Sequence, residues 1–301
     1  MKCSRNIHVS PLAATVRRLV GGLQRIRGVP RLLYWTRHWI LPTNHVLITT
    51  PDGLPLTIDT DDYGQLMLFY FPYSLDERAL LNDLLQQGDV CLDLGANVGV
   101  LAIEMARIVG ETGLIIAVDA NPRVVWALNN TIELCAIHCL HAVHSGIAGY
   151  SGVGQLIRPA VGFSESVEVS ESLNDGDYVP LTTIDELVKI YLDGRTPDLI
   201  KVDIEGSEVD LIASMSNIFS TGIFPMLLVE FHRDKCVRRG GDVEQIREYL
   251  ATSGYSERRL RPNRGTYNLI YDSQPLSARE NVLFVTSSHL SLRPKLRLKW
   301  Q

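Results

Sequence analysis

Long hydrophobic runs are missing from this 301-residue chain. Although 46% of its residues are apolar, every apolar stretch meets a charge or a glycine well before the roughly 18 residues that a membrane span needs. That excludes an integral membrane protein built on helices. Cysteine is scarce: Cys3, Cys91, Cys135, Cys139 and Cys236 are odd in number and show no C-x-x-C spacing, which argues for buried thiols in a reducing, cytoplasmic setting and against a disulfide framework. Acidic residues are absent before Asp52 and after Glu280. Twelve of the 29 basic residues lie in these two ends, leaving 17 against all 34 acidic residues between them. Nucleic-acid recognition, which asks for basic residues interleaved with aromatics on one surface, is not expected of so acidic a middle.

What is present is enough apolar residue for one large core. Leu12, Val16, Leu19, Val20, Leu23 and Ile26 recur at helical spacing among arginines, predicting a basic amphipathic helix over 12–26. Ser is sparse and no small-residue cleavage site follows, so this segment reads as a helix docked on the domain or on an anionic surface rather than as a targeting peptide. Residues 45–59 read as a hairpin around Pro51-Asp52-Gly53, and Ser74 to Gln87 as a helix with a capping box from Ser74 to Glu77. From Asp89 onward, short β-rich runs alternate with helical patterns: strands at 89–94, 114–119, 139–143, 198–203 and 226–231, helices at 98–109, 122–135, 207–218 and 243–253, and a closing strand near 282–286. Such alternation specifies parallel βαβ units. The polar stretch 158–180 interrupts the rhythm and reads as a loop or hairpin over the site. The chain thus divides into a basic extension (1–44), a main domain (45–288, with a lid over 45–87 and a core over 88–288) and a basic tail (289–301).

The chemistry concentrates where strands end. Asp93 runs into Gly95-Ala96-Asn97-Val98-Gly99 and a helix, and a second strand ends 26 residues later at Asp119, close to the spacing at which an acid reaches ribose hydroxyls. Glycines at 95 and 99 are expected to admit a ligand to the backbone, so that a bulky residue there would abolish binding and leave the chain folded. The loop lacks the G-x-G-x-x-G that seats a pyrophosphate on a helix N-terminus, and Asp93 would repel one. A phosphate-free nucleoside ligand with a cationic group fits better. A nicotinamide-dependent sugar-modifying oxidoreductase, with Asp119 on the ribose, and a non-enzymatic nucleoside-binding module remain the alternatives.

The segments Gly88–Gly99, Val118-Asp119-Ala120-Asn121-Pro122, Leu181–Leu187, Pro197–Glu208 with its Lys201-Val202-Asp203-Ile204-Glu205-Gly206, and Leu228-Val229-Glu230-Phe231-His232 together resemble the FkbM family of class I methyltransferases over roughly residues 45–286. The resemblance implies a class I methyltransferase fold, in line with the doubly wound, Rossmann-like α/β sheet expected from the alternation, to which the N-terminal helix and hairpin read from the residues form an extension. It also implies S-adenosylmethionine held by Asp93, Gly95, Asn97, Gly99, Asp119 and Asn121, and methyl transfer to an oxygen of a sugar, a lipid-linked glycan or a secondary metabolite. One departure stands out: His144-Ser145-Gly146 replaces the family's usual Asn and later Gly-Asp, so His144 and Ser145 become the adenine-side candidates. Asp203, at the end of its strand, is the expected general base, with a pKa raised by apolar and acidic neighbours. Glu205, Glu230 and His232 are the other candidates. The same four could instead hold Mg²⁺ against a diol acceptor, and spacing does not separate the two. The basic ends are expected to reach an anionic membrane surface or to fold back on the acidic domain, with Leu296, Leu298 and Trp300 forming an apolar side if the tail is extended. The acceptor is expected to be a small molecule or glycan, and the spacing leaves the oligomeric state open.

Overall fold

In a computed structural model, residues 11–23, 26–42, 44–157, 168–170, 177–193, 195–222 and 224–300 are described. Three short helices come first: α1 (Pro11–Val20), α2 (Val29–Trp35) and α3 (Arg37–Ile40). The pattern predicted one helix to residue 26. It stops at Val20 because Gly21 and Gly22 follow, and glycine weakens a helix by up to about 1 kcal/mol per residue. The hairpin β1 (His45–Thr49) and β2 (Pro55–Asp59) pairs as expected around the 51–53 turn. Next come α4 (Tyr63–Tyr70), capped by Asp62 accepting from the Gln65 N–H, and α5 (Leu75–Leu84). Ser74 does not form the predicted capping box: it sits at φ 49° with no side-chain cap bond. That frees Glu77 for another role.

The alternating segment forms β3 (Val90–Leu94), α6 (Val100–Val109), β4 (Leu114–Asp119), α7 (Pro122–Cys135) and β5 (Leu140–His144). A small side sheet follows, in the order β6-β9-β7-β8, from β6 (Gly146–Ile147), β7 (Gly152–Ile157), β8 (Glu168–Ser170) and β9 (Tyr178–Thr182). The predicted polar loop over 158–180 lies largely outside the described residues. Then come α8 (Ile184–Tyr191), β10 (Leu199–Val202), a 3-10 turn (Ser207–Asp210), α9 (Leu211–Ser214), α10 (Ser216–Thr221), β11 (Met226–His232), α11 (Arg233–Arg238) and α12 (Val243–Thr252). The single helix predicted over 207–218 is broken because the Asp185 carboxylate accepts from the N–H groups of Asn217 and Ile218, at 2.8 and 3.1 Å, starting a new helix there.

The chain closes with β12 (Ser256–Asn263), β13 (Thr266–Ile270), β14 (Arg279–Val285), α13 (Ser287–Leu292) and α14 (Pro294–Lys299). The eight-stranded sheet has the order β13-β12-β14-β11-β10-β3-β4-β5, parallel from β11 to β5 and antiparallel beyond. This is the expected doubly wound, Rossmann-like arrangement, extended by an edge hairpin that sequence reading missed. Its turn, Arg264-Gly265, has both φ values positive, 47° and 86°, as a two-residue hairpin turn requires. The chain leaves β3 toward β4 and β5, then returns to lay β10 on the other side of β3. The crevice at the carboxyl ends of β3 and β10 is therefore the topological switch point, where open α/β sheets bind ligands.

The C-terminal segment is helical and folded back. Leu296 and Trp300 are buried, Arg293 is paired with Asp89 at 2.9 Å, and Lys299 with Asp83 at 2.9 Å. The extended alternation expected of the tail does not form, because Leu296 and Trp300 find apolar cover in the core.

Packing inside the chain demands Gly95, and a left-handed backbone favours glycine at both 95 and 99. A Cβ on Gly95, at φ 80°, would overlap the carbonyl oxygen of Asp203, and one on Gly99, at φ 89°, would strike Leu128 of α7. The expectation that substitution leaves the fold intact is corrected: the β3 loop lies too close to the β10 backbone to admit a side chain. We expect Gly95→Ala to lower unfolding stability by at least about 3 kcal/mol through this overlap and the left-handed φ. Urea denaturation read by circular dichroism checks this, and an unchanged midpoint would contradict it.

Candidate active site

Parallel register builds the floor of the crevice. Asp93 of β3 pairs directly with Lys201 of β10, which pairs with Leu228 of β11, while Ala117 of β4 flanks Asp93 on the other side. Paired residues of a parallel sheet face the same side, so Asp93 and Lys201 lie side by side, their charged atoms 3.9 Å apart. Two residues further along each strand stand Asp119, Asp203 and Glu230, forming a second rung above the first. α5 covers this face and contributes Glu77.

These groups line a cleft of ≈ 270 Å³. Its lining includes seven carboxylates (Asp62, Glu77, Asp93, Asp119, Asp203, Glu205 and Glu230) and one ammonium, Lys201. So acidic a surface favours a cationic ligand and opposes a pyrophosphate.

Lys201 is buried, and its Nζ lies 3.2 Å from Asp203 Oδ2. Burial alone would pull its pKa down. Asp203, Asp93, Glu77 and Glu230 outweigh that and hold it above its ordinary value. Burial likewise acts to raise Asp203, yet the Lys201 ammonium and His232 bring it below the usual carboxylate range. The expected raised pKa of Asp203 is thus reversed, because a cation that sequence reading overlooked stands against it. Burial pushes up Glu77, to about 7, and Asp93, to about 6, and raises Asp119 as well. Glu230 is also raised by burial, against the opposing pull of the Arg279 guanidinium bonded to it.

The backbone N–H groups of the loop are all committed. Those of Gly95 and Ala96 donate to the Val118 carbonyl at 2.8 and 3.0 Å, Asn97 to Asp119 Oδ2 at 2.8 Å, Val98 to Asn97 Oδ1 at 2.8 Å, and Gly99 to the Ala96 carbonyl at 2.9 Å. Asp119 also accepts from the Asn121 N–H through Oδ1, and Asn121 itself caps α7 by accepting from Arg123. Asp119 therefore organises the loop as well as facing the cleft. Neither oxygen of Asp93 receives a hydrogen bond among the described residues, although the residue is only 1% exposed. A buried carboxylate without donors is costly, and a ligand carrying N–H groups would relieve it.

Of the residues expected at the site, Asp93, Gly95, Asn97, Asp119, Asn121, Ser145, Asp203, Glu205 and Glu230 line the cleft, whereas Gly99, His144 and His232 do not. Gly99 is the N-cap of α6, and His144 Nε2 lies 3.0 Å from the Ala120 carbonyl. His232 is buried behind Glu205: its Nδ1 lies 3.3 Å from Glu208 Oε1 and its Nε2 3.5 Å from Glu205 Oε2. Asp203, Glu205 and His232 offer ligand atoms within 4.8 Å of one another. Glu230 is not one of that trio and is bonded by Arg279. Sequence reading missed Lys201, Glu77, Glu208 and Arg279. A lysine amid Leu199-Ile200-Lys201-Val202 was the available signal, since a lysine buried in a strand needs partners.

The sequence profile described as Methyltransferase FkbM domain matches residues 93–257. No curated protein matches the chain. Among solved structures, a methyltransferase FkbM from Methylobacillus flagellatus KT is similar at 16% identity and a TM-score of 0.45, over 65% of this chain and 43% of that one, so this chain spans under half of that protein. A precorrin-6y C5,15-methyltransferase from Geobacter metallireducens GS-15 is similar at 13% identity and 0.39, over 70% and 86% of the two chains. A SAM-dependent methyltransferase from Aquifex aeolicus is similar at 12% and 0.39, over 69% and 87%.

The raised pKa of Glu77 makes a prediction about stability. The folded protein holds the Glu77 proton to about pH 7, whereas an unfolded glutamate releases it near 4.5. The native state then binds more protons than the unfolded state between those values, so stability falls as pH rises through this window. We expect Glu77→Gln to match the parent near pH 4.5 and to exceed it above pH 7, by up to roughly 3 kcal/mol. Urea midpoints across this range check it, and parallel pH profiles for the two proteins would contradict it.

Proposed function

Because the chain belongs to the FkbM methyltransferase family, matched over residues 93–257, we propose that it transfers a methyl group from S-adenosylmethionine to a hydroxyl of a sugar, glycan or secondary metabolite. The observation that carries this reading is the pairing of a donor-free loop with an acid-rich floor. With every N–H from Gly95 to Gly99 committed inside the chain, the loop offers a pyrophosphate no backbone donor, which weighs against the nicotinamide alternative. What the cleft offers instead are acceptors: the unbonded oxygens of Asp93 for an ammonium, and the remaining lone pairs of Asp119 for ribose hydroxyls. Ser145 lines the cleft with its hydroxyl 2.9 Å from the Pro180 carbonyl, leaving its oxygen as an acceptor on the adenine side.

When bound, S-adenosylmethionine supplies an electrophilic methyl group on a sulfonium. The chain's part is to align the acceptor and take its proton. Asp203 is suited to this because Lys201 bonds Oδ2 and, with His232 Nδ1 3.9 Å from Oδ1, brings the carboxylate below the usual range. Methyl transfer would break the sulfur–methyl bond and leave neutral S-adenosylhomocysteine as the oxygen–carbon bond forms, and the hydroxyl proton would pass to the Asp203 carboxylate. Glu230, Glu205 and Glu77 surround the same space and are the next candidates. Direct proton acceptance accounts for the site better than Mg²⁺, because Lys201 already partners Asp203 and Lys235 already partners Glu205.

Isothermal titration with S-adenosylhomocysteine tests the cofactor. An ammonium beside Asp93 favours its ionised form, so binding should release protons near pH 6 and release none at pH 8. Asp93→Asn should abolish that release and weaken binding, while NAD should bind neither protein. Tight NAD binding, or no binding of S-adenosylhomocysteine, would overturn the reading. With methyl-labelled donor and a panel of hydroxylated acceptors, Asp203→Asn should lower incorporation by about a hundredfold at unchanged cofactor affinity, and chelators should have no effect. Undiminished incorporation would move the proton acceptor to Glu230 or Glu77.

A further inference from the structure

The N-terminal helices present an apolar and basic face to solvent that the methyltransferase reading does not use. Leu12 and Leu19 of α1, Leu32 and Trp35 of α2 and Trp39 of α3 are 55%, 72%, 63%, 78% and 82% exposed. Arg18, Arg27, Arg31 and His38 are exposed among them. Two tryptophans at this exposure are costly in water, and their neighbours at helical spacing extend the apolar area.

The opposite side of these helices is anchored, so the outward side is fixed in place. Ala13 and Leu33 are buried in the core. The Arg17 guanidinium donates to the Thr49 carbonyl at 2.6 Å, Arg37 pairs with Asp61 at 2.9 Å, and the Tyr34 hydroxyl donates to the Asp61 carbonyl at 2.9 Å. Two arginines thus fold back on the domain, while three others point outward with the apolar side chains. The first 51 residues hold eight basic residues and no acidic one.

From this we infer that the α1–α3 face docks on an anionic lipid bilayer. The charge sign selects an anionic partner. The apolar residues select one with a hydrocarbon phase, since tryptophan favours the membrane interface and leucines on a basic helix lie in it. Nucleic acid would satisfy the arginines and leave Leu12, Leu19 and Leu32 in water. No helix among the described residues is long and apolar enough to cross a membrane, so attachment would be peripheral. In the tail, Arg293 and Lys299 are paired with acids and Trp300 is buried. α1 and α2 pack on α4, whose first turn with Asp62 lines the cleft. Docking and cleft therefore share one helix.

The test is flotation of the full chain with phosphatidylcholine vesicles, with and without phosphatidylserine, at low and high salt. The parent should float with the anionic vesicles at low salt and lose roughly tenfold in bound fraction on neutral vesicles or at high salt. Its tryptophan emission should shift to the blue on binding. Trp35→Ser with Trp39→Ser, and separately Arg18→Glu with Arg31→Glu, should each lower the bound fraction at least tenfold. Both sit on the exposed face, so their melting temperatures should match the parent's, confirming that the loss belongs to the surface. Failure of the parent to float, or equal flotation of both variants, would overturn the inference. So would concentration-dependent self-association abolished by the same substitutions, which would assign the face to a second copy of the chain.

Discussion

The Lys201 ammonium, buried in the middle of β10, governs the charge states around the cleft. An isolated buried lysine sheds its proton, and Lys201 keeps its own because Asp203, Asp93, Glu77 and Glu230 converge on it. The dependence is mutual. Without the ammonium these carboxylates would stand together under the sheet rim, and breaking a buried ion pair by removing one partner costs about 3–5 kcal/mol. The ammonium is nearest Asp203 and further from Asp93, so its influence is graded. Asp203 is brought below the usual carboxylate range, whereas burial outweighs the ammonium at Asp93 and Glu77 and raises both.

That gradation rests on a backbone that leaves little slack. The β3 loop turns against the Asp203 carbonyl at a distance only glycine permits, and Asp119 gathers the Asn97 and Asn121 N–H groups. Loop, Asp119 and proposed base are therefore linked through direct contacts. A preorganised cleft of this kind asks for little rearrangement when a cationic ligand arrives. Behind it, Glu208 is fully buried and accepts from Cys236 and contacts His232. His232 is thereby turned to support Glu205 and Asp203 and kept out of the cleft.

Much of this was legible in the sequence. The alternation of β-rich and helical runs located the five parallel strands to within a residue or two, because buried parallel strands are short apolar runs bounded by turn residues. The strand-end acids Asp93, Asp119 and Asp203 followed from the switch-point rule. The residues missed share one cause: their roles depend on contacts distant in sequence. Glu77 looked like a capping residue because Ser74 precedes it at the right spacing, yet α5 packs over Lys201 and turns Glu77 inward. Lys201 stands in the sequence inside a motif that names no charge partner for it. The β12–β13 hairpin was hidden by Arg258, Arg259 and Arg261, which look like surface until Glu280 is seen buried against Arg259 and Arg261. Glycine at 95 is legible as a position that needs a bare backbone, but the Asp203 carbonyl that it accommodates lies on a strand distant in sequence.

The charge of Lys201 can be tested without an acceptor or a cofactor. In protein labelled with ¹³C at aspartate carboxyls, Asp203 should titrate below its ordinary range in the parent, and Lys201→Met should move both Asp203 and Asp93 upward, Asp203 the more. Thermal melting at each pH would confirm that the variant is folded during the titration. Carboxyl titrations that coincide in parent and variant would contradict the claim that this one buried ammonium sets the ionisation of the cleft.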